Sequence, residues 1–75
     1  MDPQMIKRHL AQAERHVAEG EKHLVRQREL IATLERDGHD TEAATAFLEQ
    51  LQEMQGMHVA DRDRLKDELR NADRT

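Results

Sequence analysis

From Ile6 to Leu34 the apolar and small positions of this chain recur at alternating steps of four and three residues: Ile6, Leu10, Ala13, Val17, Gly20, Leu24, Gln27, Ile31 and Leu34. A mean spacing of 3.5 residues keeps one narrow stripe of an α-helix against a neighbour, which is the pattern of a heptad seam. A strand would instead alternate every second residue. The heptad is also an internal repeat: residues 9–15, 16–22, 23–29 and 30–36 each open with His or Leu and follow it with an aliphatic residue. Leu10, Val17, Leu24 and Ile31 fill one seam position. The other holds Ile6, Ala13, Gly20, Gln27 and Leu34, so its middle is small and lets a second helix approach closely.

The helix has legible ends. Asp2 is placed to cap the N-terminus, and Pro3 occupies the first helical position, where its missing N–H costs nothing. Met1 and Ile6 stand at the spacing of a hydrophobic staple. Asp37-Gly38-His39-Asp40-Thr41 breaks the pattern, with Gly38 suited to the left-handed residue that ends a helix and Asp40 or Thr41 to the next N-cap. Glu42 adds favourable negative charge to the following first turn. So short a connection predicts antiparallel neighbours: one hairpin over residues 1–75, with helix 1 over about 3–37, a turn at 38–40 and helix 2 over about 41–72. The residues from Asn71 to Thr75 are expected to fray.

The second helix carries a broader stripe: Ala44, Phe47, Leu48, Leu51, Met54, Gln55, His58, Arg62, Leu65 and Leu69. Adjacent members such as Phe47/Leu48 and Met54/Gln55 cannot both face a single partner helix, so this helix is expected to have more than one neighbour. A turn centred near residue 38–39 places position i opposite about 77 − i, which sets Gly20 across from Gly56, Met57 and His58 and permits close backbone contact between the glycines; the alternative is that either glycine is tolerated without a packing role. Val25 and Leu30 lie off the first helix's seam. A two-helix core of 75 residues is marginal against the ordering entropy, whereas two hairpins joined as a four-helix bundle bury the second stripe. The expected fold is therefore an all-α antiparallel hairpin that dimerises into a four-helix bundle. The segment Ala43–Ala60, with only Glu49 and Glu53 charged, is its intermolecular face, and Phe47, Leu48, Leu51, Met54 and His58 are its interface residues. A monomeric hairpin with an exposed patch, and a patch reserved for a different protein, are the alternatives.

Composition narrows the function. Charged residues reach 37% and mean hydropathy is −1.01, but Gly and Pro are scarce (three and one) and good helix formers dominate. There is no Cys, which excludes disulfides and thiolate metal sites. No apolar run approaches the roughly 20 residues of a membrane span, and Met1-Asp2-Pro3-Gln4 has neither the basic nor the apolar region of a signal peptide. A cytoplasmic location is expected. The net charge of −4 opposes nucleic-acid binding, and Phe47, the single aromatic residue, offers no base stacking. The charge sits in the second half: residues 1–37 carry seven Lys/Arg and seven Asp/Glu, residues 38–75 five against nine, and no Lys or Arg falls between Gly38 and Asp61.

Five histidines invite a metal reading. His9, His16 and His23 are seven residues apart on one flank of helix 1, so consecutive members lie roughly 10.5 Å apart along the axis and cannot share an ion. His16, Glu19 and His23, at i, i+3 and i+7, are the candidate metal ligands if another chain supplies one more. The bland reading makes these residues a solvated margin of the seam. No Glu-x-x-His occurs, which disfavours a di-iron bundle. His58 stands in the apolar stripe of helix 2, where a pH switch is one reading and an interface-edge His the other. Asp37, His39 and Asp40 lack a calcium-loop pattern and read as caps. No catalytic triad, phosphate loop or basic membrane face is present, so no enzyme and no cofactor are expected.

The segments Glu35-Arg36-Asp37-Gly38-His39-Asp40-Thr41, His16-Val17-Ala18-Glu19-Gly20 and His58-Val59-Ala60-Asp61-Arg62-Asp63-Arg64-Leu65 resemble stretches of short uncharacterised helical-hairpin proteins of alphaproteobacteria. The resemblance spans most of the chain. It implies a bacterial, cytoplasmic, helical protein and carries no activity with it. The residues point to a small non-enzymatic, homo-oligomeric bundle that acts by protein–protein contact as scaffold or regulator. The alternative is a His-dependent metal-binding or metal-sensing bundle.

Overall fold

The computed structural model describes residues 2–72 and is all-helical: α1 spans Pro3–Arg36, α2 spans Glu42–Ala72, and the two pack against each other as an antiparallel hairpin. The molecule is a rod of 59 × 14 × 13 Å. Asp2 caps α1, its Oδ1 accepting from the Gln4 backbone N–H at 3.1 Å, with Pro3 in the first turn. The staple partner Met1, and residues 73–75 of the expected frayed end, lie outside the described residues. Within them α2 continues to Ala72.

The turn is a Schellman motif. The Gly38 N–H donates to the Glu35 carbonyl at 3.1 Å and the His39 N–H to the Leu34 carbonyl at 2.8 Å. Gly38 takes φ +76°, the left-handed conformation that this motif requires. Asp40 Oδ1 then accepts from the Glu42 N–H at 3.0 Å, and the Thr45 N–H bonds to the Thr41 carbonyl at 2.8 Å. Asp37 and Asp40 thus serve the helix ends, as their positions implied.

The nine positions of the first seam are the α1 residues that the hairpin covers; every other described residue of α1 is exposed. On α2 the covered set is Ala44, Leu48, Leu51, Gln55, His58, Val59, Arg62, Leu65, Glu68, Leu69 and Ala72. Most of it follows the same alternation of four and three. Ile6, Ala13 and Leu65 form the buried cluster, with Leu10, Leu69 and Ala72 packed on it, and Leu24 is buried further along.

Two buried amides cross between the helices in opposite senses. Gln27 Nε2 of α1 donates to the Ala44 carbonyl of α2, and Gln55 Nε2 of α2 donates to the Val17 carbonyl of α1, each at 2.9 Å. Gly20 against Gln55 shifts the register about two residues from the expected 77 − i, and the glutamine side chains reach further still, to residue 44 where 50 was expected and to residue 17 where 22 was. Gln27 lies nine residues before the end of α1, roughly 13 Å at 1.5 Å per residue, yet it reaches the first turn of α2. The connection therefore runs back along α1 after the Schellman turn, and α2 begins beside the interior of α1. In this register Gly20 meets Gln55, while a Cβ on Gly56 would find open space. The two glycines do not face each other.

Candidate functional site

On one flank of the hairpin the helices part into a groove of about 160 Å³, lined by His16, Glu19, Gly20 and His23 from α1 and Leu51, Met54, Gln55 and His58 from α2. Its floor is set by Gly20. A Cβ there would lie 1.9 Å from Gln55 Oε1, so the missing side chain is what admits the amide. Gln55 is 8% exposed. Its Nε2 is held by the Val17 carbonyl and, at 3.3 Å, by Glu21 Oε2, whereas its buried Oε1 has no hydrogen-bond partner among the described residues. That oxygen rests against the Gly20 Cα, where a weak C–H contact is the interaction on offer.

Above the amide the imidazoles of His16 and His58 face each other across the helix boundary, with ring centroids 5.2 Å apart and planes tilted by 50°. The sequence separates this pair. His16 belongs to the heptad flank of α1 and His58 to the stripe of α2, and only the register joins them. The signal was present, since 77 − i sets His58 opposite residue 19, one turn from His16. Glu19 and His23 line the same groove. Among the described residues, no three His, Cys, Asp or Glu side chains stand close enough to hold a metal ion as they are placed.

The flank continues toward the open end of the hairpin with His9, Gln12, Asp61 and Arg64. Arg64 is bonded to Asp61 and, at 2.8 Å, to Glu68. Those bonds, Asp61 first and Glu68 second, raise its pKa above the ordinary arginine value and keep it a cation. Arg62 pairs with Asp63 and Arg70 with Asp67.

The interface residues expected from sequence divide into two sets. Leu48, Leu51 and His58 are half-buried within the hairpin, whereas Phe47 and Met54 are 50% and 54% exposed. Met57, 71% exposed, joins the outward set. Ala43, Phe47, Gln50, Met54 and Met57 step by four and three along α2, so the helix carries two adjacent seams, one turned to α1 and one to solvent. The outward seam borders a shallow depression lined by Met54, Met57, His58, Ala60, Asp61 and Arg64. No helix among the described residues is long and apolar enough to cross a membrane. Set against known proteins, the chain matches no family model, no curated protein and no solved structure.

Proposed function

We propose that the chain is a non-enzymatic, cytoplasmic helical bundle that pairs with a second copy of itself and acts through protein–protein contact, as a small scaffold or regulator. The observation that carries this reading is the outward seam of α2, where Phe47, Met54 and Met57 stand half or more exposed. The stretch from Gly38 to Asp61 contains no Lys or Arg to keep that seam in water. Apolar residues at heptad spacing on a solvated helix face are what a facing helix covers. The same seam on a second copy, related by a two-fold axis, is complementary to itself in hydrophobicity and spacing.

Light scattering after size exclusion tests the proposal. The wild-type chain is expected at twice the 8.8 kDa of one chain, and Phe47→Glu with Met57→Glu at the chain mass. Both substitutions fall on exposed side chains, so they spare the contact between α1 and α2. A Leu51 substitution would not discriminate, because Leu51 lines the groove between the helices. A wild-type mass of one chain at high micromolar concentration would refute the reading.

A further inference from the structure

The geometry points to a divalent transition-metal site, of the zinc class, clamped across the hairpin by His16 and His58 and completed by Glu19. Two imidazoles bound through nitrogen to one tetrahedral zinc, with bonds of about 2.0–2.1 Å, hold their ring centroids roughly 5 Å apart. The His16 and His58 centroids are 5.2 Å apart. The torsion that turns a histidine ring about its Cβ–Cγ bond is broad, so a nitrogen can be presented to the shared point without moving either backbone. His16 and His23 on one helix are roughly 10.5 Å apart along the axis and have no such option.

The pair needs a third ligand, since no group of three is assembled among the described side chains. Glu19 lies one turn from His16, is exposed, and lines the same groove, so a change of side-chain rotamer brings its carboxylate in. The groove's charge selects a cation: its lining holds no Lys or Arg, and Glu19 is its one formally charged residue. The site lies within one chain and does not rest on the proposed dimer.

The test is titration of the whole chain with zinc chloride by isothermal titration calorimetry, at neutral pH in a non-chelating buffer. Cobalt(II) visible absorption and light scattering are recorded alongside. One ion per chain, cobalt bands of tetrahedral intensity and an unchanged mass are expected. His16→Gln and His58→Gln should each weaken binding at least about tenfold, since loss of an outer-sphere partner alone weakens metal sites 10–100-fold. Glu19→Gln should weaken it too, while His9→Gln and His39→Gln leave it unchanged. Circular dichroism checks that each variant keeps its helicity; should His58→Gln lose it, His16→Gln, on an exposed residue, decides. The site is overturned by an absence of heat and of cobalt bands, or by a dependence on His9 and His23 instead of His58. One ion per two chains with doubled mass would also overturn it, by placing the ligands between copies. A silent Glu19→Gln removes Glu19 from the assignment.

Discussion

Gly20 and Gln55 make one contact across the hairpin, the amide seated where a side chain on residue 20 would stand. A glycine inside a helix costs about 1 kcal/mol relative to alanine, so Gly20→Ala would stabilise α1 if nothing else changed. Its new Cβ, however, would fall 1.9 Å from Gln55 Oε1 and 2.7 Å from Cδ, forcing the amide off the Val17 carbonyl. Displacing a buried, bonded amide costs about 1–3 kcal/mol, and this loss outweighs the propensity gain. Gly20→Ala is therefore expected to destabilise the wild-type chain by about 1 kcal/mol, yet to stabilise the Gln55→Ala variant, where the obstacle is gone. Urea unfolding of the four proteins measures the coupling. Additivity within about 0.5 kcal/mol would mean that the amide is not seated on Gly20. Heptad spacing placed both glutamines on seams, because spacing is a property of one helix. That each donates to a carbonyl of the other helix was not legible, since this depends on how far the connection carries the chain back.

At the level of the elements the sequence was most informative. The seam from Ile6 to Leu34 coincides with the covered face of α1, and the capping roles of Asp2 and Asp40 follow from local chemistry that acts within two residues. The breadth of the α2 stripe was legible as well. Its division into an inner seam through Leu48, Leu51 and Gln55 and an outer one through Phe47, Met54 and Met57 emerged only once α1 was in place. The same locality makes the turn testable. Among the described residues, a Cβ on Gly38 would meet nothing within 4 Å beyond its chain neighbours, but its φ of +76° is one that side-chain-bearing residues avoid. Gly38→Ala is expected to lower unfolding stability by about 1 kcal/mol through the backbone alone. Gly38→Asn should recover part of that loss, since asparagine tolerates this conformation better. Equal stability of the alanine variant and wild type would show that the Schellman turn does not hold the hairpin.

The whole molecule is a thin rod with little interior. Ile6, Ala13, Leu24 and Leu65 are its buried apolar residues among those described, and no side chain there is completely enclosed. An interface of standard size takes about 800 Å² from each partner, about a seventh of the 5688 Å² this chain exposes. A rod 59 Å long with an apolar seam along one helix can supply such an area, and a second hairpin would enclose side chains that α1 and α2 leave at the surface. Folding and pairing are then one equilibrium, and mass action ties stability to concentration. The thermal midpoint of the wild-type chain, followed by circular dichroism, is expected to climb roughly 3–5 °C for each tenfold rise in protein concentration. The Phe47→Glu, Met57→Glu variant should lose that dependence and melt lower throughout. A wild-type midpoint that stays constant across a hundredfold range of concentration would show that the hairpin is stable alone and that its outward seam is not required for folding.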